Sequence, residues 1–241
     1  MNVLTSFFKI PNIITLLNLI CGSIAIYHIL NNDIIIGTYF IIAAAVLDFL
    51  DGFAARLFNQ ASEIGKQLDS LADVISFGLA PGFIFFQLLS ASGHEVGGEI
   101  LNLNMLAFLL PAFGALRLAK FNIDESQSVH FKGLPTPAMA MYAIGMVYWY
   151  ENDAAWQSVF FNTEILIIQI VVLSLLMISN LNLIALKFTK NKIKDNIDTI
   201  LLLAVSILLF LLFNLSALPM IILTYIVISI LSFNLKIFNK K

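Results

Sequence analysis

The feature that most constrains this chain is a succession of apolar runs, each near the length needed to cross a bilayer and separated by short polar connections. A spanning helix needs about 20 predominantly apolar residues, because the hydrocarbon core is about 30 Å thick and a helix rises about 1.5 Å per residue. Such runs extend from Pro11 to about Leu30, Ile34 to Arg56, Lys66 to Ser90, Ile100 to Lys120, Pro135 to Tyr150, Ile165 to Leu186, Ile197 to Phe213, and Ala217 to Leu235. In lipid the backbone must satisfy its own polar groups, so these runs are read as helices. The expected fold is all-α, a polytopic membrane helical bundle with about eight transmembrane helices in a single integral-membrane domain over residues 1–241. Residues 1–10, with Phe7, Phe8 and Lys9, read as an interfacial lead. Composition agrees: 60% hydrophobic and 12% charged residues over 241 positions lie far from a soluble domain.

Charge placement gives the expected topology. With a cytoplasmic N-terminus, eight crossings put all 13 Lys and Arg residues on the cytoplasmic side. These are Lys9, Arg56, Lys66, Arg117, Lys120, Lys132, Lys187, Lys190, Lys192, Lys194, Lys236, Lys240 and Lys241. The outer connections carry Asp33, Glu95, Glu99, Glu151, Asp153 and Glu164 instead. Both termini and any site at the cytoplasmic helix ends therefore face the cytoplasm. One cysteine, Cys21, excludes an internal disulfide and a cysteine-based metal site. No nucleic-acid partner is expected.

Against this apolar background, four aspartates stand out between positions 48 and 73. Asp48 and Asp51 are three residues apart and Asp69 and Asp73 four apart, so each pair falls on one helix face about one turn apart. Gly52, Ala55 and Gly65 keep the surrounding backbone accessible to something bulky. An unpaired carboxylate at a helix centre in lipid costs roughly 2.5–3.5 kcal/mol, so four would cost about 10 kcal/mol or more. Arg56 cannot offset that. Oxygen ligands without Cys or His suit hard cations such as Mg²⁺, Mn²⁺ or Ca²⁺, and four acids from two helices suit a two-metal clamp on a phosphate or pyrophosphate.

The pattern Asp48-x2-Asp51-Gly52-x2-Ala55-Arg56-x8-Gly65-x3-Asp69-x3-Asp73 resembles the full signature of the CDP-alcohol phosphatidyltransferase family. The resemblance implies that Asp48, Asp51, Asp69 and Asp73 hold two divalent cations, Mg²⁺ or Mn²⁺, against the pyrophosphate of a CDP-linked lipid. Asp51, Gly52, Ala55, Arg56 and Gly65 then bind the CDP-lipid. Asp73, supported by Asp69, acts as base toward the incoming alcohol. A homodimer is also implied.

Other blocks resemble the phosphatidylserine synthase branch: Asp69 to Gly78 with Ala80-Pro81, RLAKFN from Arg117 to Asn122, FKGLPTPA from Phe131 to Ala138, and Met177-Ile178-Ser179-Asn180 with Lys187-Phe188. Asn182 departs from the branch, which more often has Pro there. The branch implies CDP-diacylglycerol and L-serine as substrates, within membrane lipid. Serine needs a cation for its carboxylate, which Arg117, Lys120 and Lys132 can offer, with Arg117 first because its planar fork matches a carboxylate.

Plainer readings accompany these. The acids could form an ion pathway in a membrane transporter, and the acceptor could be glycerol 3-phosphate or inositol phosphate. Arg117, Lys120 and Lys132 could anchor lipid headgroups, and the run Lys187, Lys190, Lys192, Lys194 reads as attraction to anionic lipid. His28, His94 and His130 are not expected to be catalytic. Asn12, Thr15 and Asn18 suit helix capping and pairing as well as substrate contact.

Overall fold

The computed structural model describes residues 9–92, 103–123, 131–152, 154–184 and 196–233. The aromatic pair Phe7 and Phe8, the loop with His94, Glu95 and Glu99, Asp153, His130, the run Lys187 to Lys194 with Phe188, and Leu235 with Lys236, Lys240 and Lys241 lie outside the described residues.

The elements follow the apolar runs. Helix α1 is Ile10–Leu30 and α2 is Ile34–Leu57. Pro11 sits in the first turn of α1, where its missing N–H has no helical partner to lose. A tight turn through Asn32, at φ 65°, folds α2 back on α1. There Gly37 lets the backbones approach, since a Cβ would come within 3.1 Å of the Ala25 carbonyl oxygen. Helix α3, Glu63–Asp73, passes through a π-helical turn, Val74–Leu79, into α4, Ala80–Ala91. A 3₁₀ segment, Leu103–Phe108, leads into α5, Leu109–Ile123. Helices α6, Thr136–Asn152, α7, Ala154–Phe160, and α8, Thr163–Ile178, follow, and the chain ends in α9, Ile197–Phe213, and α10, Leu218–Phe233.

Five helical stretches among the described residues are long and apolar enough to cross a membrane: Ile10–Leu30, Ile34–Leu57, Glu63–Ala91, Leu103–Ile123 and Ile197–Phe233. The last is folded rather than straight. Asn214 adopts φ 51°, and the Ser232 hydroxyl donates to Asp198 Oδ2 at 2.7 Å, which joins the end of α10 to the start of α9. Helix α8 is apolar but shorter. Inside the bundle, Ile29, Ile41, Phe77, Ile84, Phe85, Met139 and Leu166 are buried, whereas Leu201, Ile207, Leu208, Leu211 and Leu212 face outward. An apolar outer surface over an apolar interior is the arrangement of a helix bundle solvated by lipid. This is an integral membrane protein.

One expectation needs correction. The helix read from Ile165 to Leu186 ends at Ile178, with Ser179 extended at φ −63°, ψ 161°. The carbonyls near that end are taken by another part of the chain, since Leu134 N–H donates to Leu176 O at 2.9 Å. Within the all-α bundle, Phe131–Lys132 (β1) and Asn182–Leu183 (β2) form a two-residue antiparallel ladder. The shortened helix and the ladder belong to one junction, where the block FKGLP meets the block after α8.

Candidate active site

Helix α2 carries Asp48 and Asp51 near its C-terminal end, and α3 carries Asp69 and Asp73. The connection between them turns at Asn59, φ 56°, and then Ser62 caps α3 by accepting from Gly65 N–H at 3.1 Å. This short return brings the two carboxylate faces together. One oxygen from each of Asp48, Asp51 and Asp69 lies within 4.8 Å of the others, and the Asp48 carboxyl also reaches that of Asp73. Two full charges about 4 Å apart repel by roughly 4 kcal/mol at an effective dielectric of about 20. Something positive has to balance such a cluster. Among the described residues, no Lys, Arg or His forms an ion pair with any of the four aspartates. Clustered carboxylate oxygens without a side-chain counter-ion fit hard divalent cations, so the residues present suit the metal that the sequence reading expects.

Helix α1 forms the third wall. The Thr15 hydroxyl donates to Asp51 Oδ2 at 2.6 Å, fixing the least exposed of Asp48, Asp51 and Asp69. Beside it opens a cavity of about 210 Å³ lined by Asn12, Thr15, Asp51, Gly52, Gly65 and Asp69, with Ala55 and Lys66 at its border. The two glycines differ in their surroundings. A Cβ at Gly65 would come within 3.0 Å of Asn12 Oδ1, whereas at Gly52 it would meet only the Arg56 guanidinium at 3.7 Å. Arg56 itself is exposed and lies over Gly52. Lys66, not singled out for the site from sequence, borders the cavity and donates to the Asn122 carbonyl oxygen at 2.8 Å.

The opposite side of the acids is built differently. Asp73 is 7% exposed, and Oδ1 of its carboxyl has no hydrogen-bond partner. Arg117 of α5 is the cation whose charge bears on Asp73, and it is buried, with its Nε–H unpartnered. The other two expected cations are arranged otherwise. Lys120 is exposed and donates to Asn180 Oδ1 at 3.0 Å, while Lys132 lies in the ladder opposite Asn182. Asn182, where the resembled branch more often has Pro, is thus a ladder residue.

Residues 8–176 match the family model described as CDP-alcohol phosphatidyltransferase. The chain belongs to the CDP-alcohol phosphatidyltransferase family. That match includes all four aspartates, Gly52, Ala55, Arg56, Gly65, Arg117, Lys120 and Lys132, and stops before α9 and α10. Among curated members, the chain is similar to the CDP-diacylglycerol–serine O-phosphatidyltransferase of Bacillus subtilis, 36% identical over 142 residues, covering 59% of this chain and 77% of the relative. It is 34% identical over 177 residues to the Helicobacter pylori protein of the same name, covering 72% of this chain and 71% of the relative. An archaetidylserine synthase of Methanothermobacter thermautotrophicus is 31% identical over 140 residues, 57% of each chain.

Proposed function

We propose that this phosphatidyltransferase moves the phosphatidyl group of CDP-diacylglycerol to the hydroxyl of L-serine, giving phosphatidylserine and CMP. The observation that carries the reading is the convergence of Asp48, Asp51 and Asp69 beside a cavity bordered by small residues, in a family member whose curated relatives are named for this reaction. Asp48, Asp51, Asp69 and Asp73 hold divalent cations, Mg²⁺ or Mn²⁺. When bound, these supply Lewis-acid neutralisation of the pyrophosphate.

The chain's own residues do the rest. Gly52, Ala55 and Gly65 leave room for the nucleotide, Asp51 is held by Thr15, and Arg56 over Gly52 contacts phosphate. Arg117 orients the serine carboxylate beside Asp73, with Lys120 and Lys132 contributing positive potential at the rim. Asp73 takes the proton from the serine hydroxyl as its oxygen attacks the phosphorus bearing diacylglycerol, and CMP leaves. Eight crossings form one domain over residues 1–241, with both termini and the active site on the cytoplasmic side, a reading supported by the distribution of Lys and Arg. The working protein is a homodimer.

The test is CMP release from CDP-diacylglycerol by purified protein in detergent, with Mg²⁺, Mn²⁺ or EDTA, offering L-serine, glycerol 3-phosphate and inositol phosphate in parallel. Metal-dependent release with serine alone is the expected result. Release with another alcohol instead would overturn the acceptor, and metal-independent release would overturn the metal clamp. Absence of release by folded protein with every acceptor would return the cluster to an ion-pathway reading.

A further inference from the structure

A second unpartnered polar group lies beside Gly114, one turn before Arg117 on α5, and its place in the fold gives it a use. Thr136 is the first residue of α6, is 0% exposed, and its hydroxyl has no hydrogen-bond partner. A buried hydroxyl without a partner is costly, so this one either burdens the fold or awaits a ligand.

Its position is imposed from two directions. Gly133, at φ 76°, donates its N–H to Leu181 O at 2.9 Å, and any Cβ there would run into the Met177 carbonyl. The next residue, Leu134, is tied to Leu176 O. These bonds clamp the start of α6 to the end of α8. From the other side, Gly114 of α5 presents no side chain, and a Cβ there would lie 3.5 Å from Thr136 Cγ2. Gly114 is one turn before Arg117, and long side chains on a helix lean over the turn that precedes them. The Arg117 side chain therefore runs toward the space that Gly114 leaves and Thr136 borders. Its charge is felt by Asp73 on one side and by Tyr225 on the other, and the Tyr225 hydroxyl is committed to Ile184 O at 3.1 Å. Two buried donors without partners thus belong to residues around Gly114: Arg117 Nε–H, one turn further along α5, and the hydroxyl of Thr136, which packs against Gly114.

We propose that Thr136 is a specificity-determining residue that, together with Arg117, binds the carboxylate of the amino-acid acceptor. The proposal rests on serine being the acceptor, and goes beyond it by naming the neutral donor that completes recognition of the carboxylate. A guanidinium alone would hold any anion, including a phosphate. An added hydroxyl at a fixed angle favours a small planar carboxylate whose second oxygen needs a donor.

The test compares Thr136→Val, which keeps shape and removes the hydroxyl, with Thr136→Ser, which keeps the hydroxyl. The serine KM, the CDP-diacylglycerol KM, kcat and the thermal midpoint are measured on the full chain in detergent. A hydrogen bond to a charged group has a strength that corresponds to a roughly 10- to 100-fold change in affinity. Thr136→Val should raise the serine KM by about tenfold or more while the donor KM and kcat stay within about twofold, and Thr136→Ser should restore the wild-type value. An unchanged serine KM in Thr136→Val would overturn the proposal. So would a loss in Thr136→Val that Thr136→Ser does not restore, or a fall in kcat with serine KM unaltered. If Thr136→Val does not fold, Thr136→Ser and Thr136→Ala carry the comparison by the same criterion. Failure of wild-type protein to use serine at all would be a different result, since it removes the acceptor itself.

Discussion

The two sides of the aspartate cluster contrast in construction. The side facing α1 is an open cavity bordered by Gly52, Ala55 and Gly65, built by neighbours in sequence and by one hydrogen bond from Thr15. The side facing α5 is closed. There Asp73 and Arg117 come from two helices, both are buried, and a polar atom of each lacks a partner. The difference suits the two substrates: a nucleotide pyrophosphate needs room and metal, whereas a small zwitterion needs a few donors at fixed angles in a place from which water is excluded.

Perturbations should divide along this line. The largest effect is expected on the shared centre, where EDTA, or Asp48→Asn, should abolish CMP release, with direct Mn²⁺ binding in Asp48→Asn measured by electron paramagnetic resonance as a readout independent of turnover. Next, Asp73→Asn should lower kcat by roughly 10²–10⁴-fold, the range of general base help, while CDP-diacylglycerol still binds. Persisting release in that variant would remove Asp73 as the base. Arg117→Ala should raise the serine KM by roughly 10- to 100-fold and leave the donor KM nearly unchanged, since a charge-assisted pair is lost on the closed side only. The opposite pattern would move Arg117 to the donor side and erase the contrast. Gly65→Ala should do the reverse on a smaller scale, raising the CDP-diacylglycerol KM by about three- to tenfold through its encounter with Asn12, an amount equal to roughly 1 kcal/mol. The smallest effect belongs to neither side: Leu211→Ala, on the outward face of α9, should change stability by no more than about 0.5 kcal/mol.

The side facing α1 was legible in sequence because its information is local. Helical periodicity alone puts Asp48 with Asp51 and Asp69 with Asp73, and a connection of five residues between α2 and α3 leaves the two helices little freedom to separate. The closed side was only partly legible. Arg117 could be put first for its planar fork, yet Lys120 and Lys132 stood beside it as further candidates. What separates them is burial, and a partner on another element: Asn180 for Lys120 and the ladder with Asn182 for Lys132. Thr136 lay in the block FKGLPTPA, which stood out in the sequence, but nothing set it apart from a threonine that merely starts a helix. Gly133 lies in the same block, and no local pattern names the α8 end that it meets.

The sequence by itself determined that the chain lives in a membrane, that its segments are helices, and that the four aspartates form pairs, because hydrophobic length and helical period act within a single segment. Only the tertiary structure decided that α8 stops at Ile178, that the last apolar stretch folds back at Asn214, and that Thr136 packs against Gly114, one turn before Arg117. Those outcomes depend on which carbonyl meets which N–H across distant segments, and on where a missing side chain leaves room. Neither quantity exists until the helices have packed.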